Sequence, residues 1–236
     1  MSFLHAEWRK LAIANYVVDP GLLQPFVPKH TELDFWNDRC YVSLVGFMFL
    51  NTKMLGIKIP FHVNFEEVNL RFYVRHHDGK EWKRGVVFVR EIVPKPALSL
   101  VANTLYKEHY ATMPMKHHWE EQASERMVSY LWKSKGAWQH FAVRAELQSQ
   151  PMEAGSETEF ITEHYWGYTQ AGPDKTFEYE VSHPRWEAYP VIAHDIQVDF
   201  GRVYGQEFAV LNNISPQSVM LAEGSEIRVE NKRTLP

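Results

Sequence analysis

Cysteine is almost missing from this chain: Cys40 is the only one in 236 residues. A lone thiol allows no internal disulfide and no zinc site built from several cysteines. A basic excess is missing too. Lysine and arginine total 25 against 29 aspartates and glutamates, a formal net charge of -4. Nothing here draws in a phosphate backbone, so no nucleic-acid partner is expected. No apolar run is long enough to span a bilayer, and the opening MSFLHAEWRKLAIANY lacks the charged-then-apolar pattern of a signal peptide. A cytoplasmic location with no membrane partner is the expectation. Neither G-x-G-x-x-G, nor a Walker lysine loop, nor a G-x-S-x-G elbow occurs, so nucleotide binding and α/β-hydrolase chemistry have no signature. Repeats, low-complexity tracts and linkers rich in Gly, Ser or Pro are also absent. Residues 1–236 therefore read as a single domain.

What is present is apolar and aromatic. Hydrophobic residues make up 45% and aromatics 14%, enough for a real core and too much for global disorder. CYVSLVGFMFLN (40–51) is apolar on both alternating faces and predicts a strand covered on both sides. NFEEVNLRFYV has the clearest period of two. Val68, Leu70, Phe72 and Val74 share one face, and Glu67, Asn69, Arg71, Tyr73 and Arg75 share the other. Asp78-Gly79 signals a turn, and GVVFVREIV returns as the next strand. Further strands are predicted in MKHHW, MVSYLW, WQHFAVRAEL, FEYEVSH, VIAHDIQV, SVMLA and EIRVE, and a short one over Leu33 to Trp36. KSKG reads as a hairpin turn. Short helices are predicted after Asp19-Pro20, over PALSLVANTLYKEHY from Pro96, after Ser156-x-x-Glu159, and in DFGRVYGQEFAVLNN. Many strands with few helices give a mainly β fold, a closed or nearly closed barrel with helices outside.

The polar face of the Glu67–Arg75 strand carries the first candidate site. Charged alternation usually means a solvated face. Here the flanking strands are apolar on both sides, so this strand is central and its polar face suits the lining of a cavity. Arg71 is placed to hold an anionic group by its guanidinium fork, with Glu67 orienting it or moving a proton. The competing reading is a structural Glu–Arg pair. Asn69 and Tyr73 complete the face. Twelve histidines invite a metal reading, but His76-His77 and His117-His118 are adjacent, and neighbours on a strand point to opposite sides. No metal and no cofactor is expected. Cys40 lies inside an apolar strand, where a thiol is inert filler. Lys116 stands beside two histidines and apolar groups, and a Schiff-base lysine would need such a setting. Most lysines are solvated.

The segments WRKLAIANYVVDPGLLQPFVP, YVSLVGFMFLN, IPFHVNFEEVNLRFYVR, GVVFVREIVP, GSETEFITEHYWGYT and VSHPRW, in this order, resemble the YqjF-like family of uncharacterised conserved proteins. The resemblance covers nearly the whole chain. That family is grouped with the acetoacetate decarboxylase-like fold, which implies a cone-shaped closed β-barrel with outer helices. The decarboxylase carries an aromatic-x-Glu stretch, which F-E-E would match at Glu67. It also carries Pro-Lys-Lys, whose first lysine forms the Schiff base. The matching run is Pro114-Met115-Lys116, which puts Met115 at the nucleophile's place. Met has no amine, so the resemblance implies loss of the decarboxylase chemistry, with Met115 lining an adaptable apolar pocket.

Three functions stay open at this point. One is a barrel that binds a small, partly anionic molecule through Arg71, Asn69, Tyr73 and Met115, with His164 and Arg185 at the mouth. The second is an enzyme on a small oxo acid that uses Lys116 and Glu67. The third is a structural or partner-binding protein. The aromatic groups Tyr165, Trp166 and Trp186 belong to a pocket wall or to plain core. A homo-oligomer is compatible with all three.

Overall fold

The computed structural model describes residues 2–235. The chain starts with β1 (Leu4–Val18), a helical turn α1 (Pro20–Leu23), β2 (Glu32–Leu33) and β3 (Cys40–Met54). Then come β4 (Phe65–His77), β5 (Trp82–Val93), α2 (Pro96–Leu105) and β6 (Tyr110–Thr112). The middle holds β7 (Met115–Glu121), β8 (Glu125–Ser134), β9 (Ala137–Glu146), β10 (Gln150–Pro151) and α3 (Glu157–Thr162). The last third holds β11 (Trp166–Gly172), β12 (Lys175–Ser182), β13 (Glu187–Tyr189), β14 (Val191–Gln197), α4 (Phe200–Tyr204), β15 (Ser218–Val229) and β16 (Arg233–Thr234). The mainly β reading holds. No helix among the described residues is long and apolar enough to cross a membrane.

Local chemistry sets several boundaries. The Asp19 carboxylate accepts the Gly21 amide at 2.7 Å and caps α1, with Pro20 at the first helical position where its missing N–H costs nothing. Ser156 Oγ accepts the Glu159 amide at 3.2 Å and starts α3. Lys135 and Gly136, at φ 46° and 86°, make the tight turn between β8 and β9. Two expectations need correction. The strand expected over Leu33 to Trp36 shrinks to Glu32–Leu33, with a lone bridge from Trp36 to Arg39. The helix from Pro96 stops at Leu105 rather than running on to Tyr110. Lys107, at φ 61°, turns the backbone left-handed, and Tyr110 enters β6, parallel to β5.

The strands form two sheets. The large one runs β10-β13-β15-β1-β3-β4-β5-β11-β12-β16, with β2 on β4 and β6 on β5. In addition β12 pairs β15, through Val181 with Val229 and Ser182 with Arg228. The small sheet runs β14-β9-β8-β7. It packs on one face of the large sheet, where Val68, Leu70, Phe72 and Val74 of β4 meet Val128, Tyr130, Trp132, Phe141 and Val143. Burying each such side chain is worth about 2 kcal/mol. Gly46 lets the sheets approach, since a Cβ there would stand 2.7 Å from the Tyr130 ring. The other face of the large sheet has its own core, which includes Val45, Phe47, Tyr73, Phe160, Ile161 and Trp186. The polar face of β4 looks into that second core.

Candidate functional site

A cavity of about 150 Å³ opens in the second core. That is room for a small organic molecule. Much of its wall is apolar, from Phe3, Trp8, Phe47, Phe49, Leu98 and Trp186. The polar part centres on β4. Glu67, Asn69 and Arg71 alternate onto the cavity side and line it, and each is at most 7% exposed.

Arg71 is a buried cation with little to hold it. Its Nη2 donates to the Ile161 carbonyl at 3.3 Å, and its guanidinium lies 5.8 Å from the Tyr73 ring centre. Its Nε has no partner. Among the described residues it forms no ion pair, so the competing reading of a structural Glu–Arg pair finds no such pair there.

Glu67 instead belongs to a group of acids. Glu91 from β5 and Glu108 from the turn after α2 line the same cavity. The Glu67 carboxyl accepts Asn69 Nδ2 at 3.0 Å and the Tyr110 hydroxyl at 3.1 Å. The Glu108 carboxyl accepts the Thr169 hydroxyl at 2.6 Å and the Tyr179 hydroxyl at 2.9 Å. Glu91 Oε2 is buried with no partner. Burial favours the uncharged form of each acid. It pushes Glu67 up to about 7, with help from the Glu108 charge and against the hydrogen bonds of Asn69 and Tyr110 and the Arg71 charge. Burial alone drives Glu108 up to about 7, against the two hydroxyls. Glu91 rises well above the ordinary range, through burial and then the charges of Glu108 and Glu67.

His164 closes another side of the cavity. Its Nε2 lies 3.2 Å from Asp34 Oδ2, and Arg84 Nε donates to the same oxygen at 2.6 Å. Burial pulls the imidazole down to about 4 despite the Asp34 hydrogen bond. Burial pushes Asp34 up, but the hydrogen bonds from His164 and Arg84 outweigh it and keep Asp34 below its usual range. Asp34 is therefore an acceptor. Nε2 carries the proton, and the unpartnered Nδ1 keeps a free lone pair.

The sequence candidates separate cleanly. Glu67, Asn69, Arg71 and His164 line the cavity, as do Trp166 and Trp186. Tyr73 sits one step further along the face, with its hydroxyl 2.7 Å from Ser43 Oγ. Arg185 donates to the Met152 carbonyl at 3.3 Å and pairs with Glu159. Met115 and Lys116 lie on β7, in the small sheet. Met115 packs into the core between the sheets, and Lys116 is exposed with its ammonium 5.2 Å from the Trp138 ring centre. The pocket expected around Met115 is thus that inter-sheet core. His117 faces Glu66 at 2.7 Å and His118 faces Glu120 at 3.3 Å, on opposite sides of the strand. No group of three His, Cys, Asp or Glu among the described residues is placed to hold a metal ion.

Glu91, Glu108, Tyr110, Tyr179 and Thr169 were missed. Glu91 left one trace, a charge pair inside the apolar run GVVFVREIV. Glu108 left none, because the helical spacing from Pro96 continues through it.

The fold is that of acetoacetate decarboxylase-like proteins. Acetoacetate decarboxylase from Legionella pneumophila superposes with a TM-score of 0.66, at 10% identity, over 98% of this chain and 87% of its own. An acetoacetate decarboxylase-like enzyme from Sphingomonas wittichii RW1 gives 0.67 at 12% identity, over 100% and 94%. The enduracididine biosynthesis enzyme MppR, complexed with pyruvate, gives 0.70 at 11%, over 99% and 90%. Identities this low establish the fold alone. The narrower kinship comes from the sequence: a family described as an uncharacterized conserved protein, DUF2071, matches residues 5–226, and the chain belongs to it. The uncharacterized protein YqjF of Bacillus subtilis (strain 168) is 28% identical over 184 residues, 78% of this chain and 74% of YqjF.

Proposed function

We propose that the chain forms one closed β-barrel that binds a small organic acid, with its carboxylate on Arg71 and its body against the apolar wall. The pairing of β12 with β15 supports closure, since it joins the run β15-β1-β3-β4-β5-β11-β12 into a ring. One observation carries the ligand: a guanidinium that lines a largely apolar cavity, makes no ion pair among the described residues and keeps a buried Nε without a partner. A carboxylate would supply the missing charge and two acceptors. Pyruvate, held by the structural neighbour MppR, is an acid of this class. An imine mechanism needs an amine in the cavity. Lys116 is exposed on the far sheet, and no lysine is among the described residues that line the cavity. The binding is therefore non-covalent.

Calorimetry with pyruvate, 2-oxobutyrate and pentanoate tests this. Wild type should bind at least one of them, and Arg71→Met should weaken it by roughly ten- to a hundredfold, the worth of a charge-assisted pair. Borohydride added with pyruvate should leave the protein mass unchanged. Equal binding by Arg71→Met would refute the acid site. An adduct on Lys116 would restore the imine enzyme.

A second reading, proton transfer on the bound acid, rests on His164. A neutral imidazole held by a clamped carboxylate, with its other nitrogen free, is the form of a general base. Exchange of the C3 protons of 2-oxobutyrate in D2O, catalysed by wild type and lost in His164→Gln, would support it. No exchange above buffer would remove it.

A further inference from the structure

We propose that the Glu67, Glu91 and Glu108 end of the cavity is a cation subsite, so that the ligand is a zwitterion: a straight-chain acid with a terminal amine or guanidine. This rests on the reading of Arg71 as the carboxylate site and names the class of molecule that fills both ends.

The three carboxyls are 2%, 3% and 7% exposed and line one cavity. None of them forms an ion pair among the described residues. Buried carboxylates are normally matched by a positive partner. Hydrogen bonds from Asn69, Tyr110, Thr169 and Tyr179 satisfy part of Glu67 and Glu108. Glu91 Oε2 stays unsatisfied, so the cluster has an open oxygen and no cationic partner among the described residues. A bare metal ion is not the occupant the geometry suits, as no three acidic or imidazole groups among the described residues converge on one point. An ammonium or guanidinium, whose donors spread over several oxygens, is.

The spacing narrows the class. Glu91 stands opposite Asn69 across the β4–β5 ladder, and Arg71 is the next residue on that face. One same-face step is roughly 7 Å along a strand, and two steps, to Glu67, are roughly 13 Å. An α-amino acid carries both charges on one carbon and cannot reach both ends. A chain of roughly five single bonds of ~1.5 Å spans the shorter distance. Its methylenes would lie against Trp8, Phe47 and Phe49. The cation would displace the protons that Glu67 and Glu108 hold near neutrality, and the other groups facing it are the Tyr110 and Tyr179 hydroxyls and the more distant Arg71.

The test compares pentanoate with 5-aminopentanoate by calorimetry at pH 7.5. Wild type should bind the amino acid at least tenfold more tightly. Glu91→Gln should bring that ratio to within about twofold, and Glu67→Gln provides the same reading if the first variant fails to fold. Equal affinity of wild type for the two probes overturns the cation subsite and leaves the Arg71 site standing. Failure to bind either probe overturns the cation subsite, and the Arg71 site falls with it only if pyruvate and 2-oxobutyrate also fail to bind. A preference that survives both substitutions places the amine elsewhere and overturns the subsite.

Discussion

Replacing Glu67 by Gln should stabilise this protein at alkaline pH and not at acid pH. Glu67 is 2% exposed, and burial raises its carboxyl from 4.5 to about 7. In the unfolded chain the same carboxyl ionises near 4.5. The folded state thus holds a proton between these values that the unfolded state has lost. Stability is full below pH 4.5 and falls as pH rises through 7. At ~1.4 kcal/mol per pH unit, the span from 4.5 to about 7 amounts to about 3 kcal/mol. Gln has the same shape and never ionises. It can keep the Asn69 contact through its carbonyl oxygen, and Tyr110 has Glu91 within reach for its hydroxyl. The expected gain is about 1–3 kcal/mol at pH 8, after a discount for the altered Tyr110 bond. It should vanish by pH 5. Urea unfolding followed by tryptophan fluorescence at both pH values measures it. Equal destabilisation at pH 5 and pH 8 would show that Glu67 is ionised and matched in the folded state, and would refute the reasoning.

His164 acts in the opposite direction. Its imidazole is held at about 4 against an ordinary 6.5, so the unfolded chain takes up a proton first as pH falls, and stability drops from about pH 6.5 down to 4. His164→Gln should flatten that part of the stability profile by up to about 3 kcal/mol, read from urea midpoints at pH 4.5 and 7. An unchanged slope would place the proton elsewhere. Gly167 lies beneath the Tyr179 ring, and a Cβ there would meet Tyr179 Cζ at 2.2 Å. Gly167→Ala should therefore push Tyr179 off Glu108 and cost about 2–4 kcal/mol in chemical denaturation. Gly172→Ala, whose new methyl would have Lys175 Cβ at 3.7 Å as its nearest neighbour, should be near neutral. A near-neutral Gly167→Ala would mean that Tyr179 is free to move.

The strands were legible because the period of two is strong where one face is buried. Val68, Leu70, Phe72 and Val74 against Glu67, Asn69, Arg71 and Tyr73 define β4 and its two faces without further help. Which face meets which layer was not legible. It depends on the small sheet, whose strands carry the same kind of pattern and give no sign that they leave the large one. That one unseen partition moved Pro114-Met115-Lys116 from an expected cavity wall to a strand on the opposite side of β4.

The acid cluster was hidden by two local departures from regularity. In β5 the ladder partner of Leu70 is Arg90, but that of Arg71 is Phe88. The extra residue is a bulge, and it reverses the alternation. Phe88 and Glu91 both face the cavity as a result, while Arg90 turns to the other side and donates to the Val203 carbonyl. A strict period of two through Phe88 would have put Arg90 inside, opposite Asn69, and Glu91 out. At Lys107 a single left-handed residue ends the helix early and sends Glu108 inward and His109 out. Each shift is one residue long, below what composition or periodicity can resolve. Each exchanges a basic or imidazole side chain for a carboxyl, which is why the cavity holds three acids beside one arginine that none of them neutralises by direct contact.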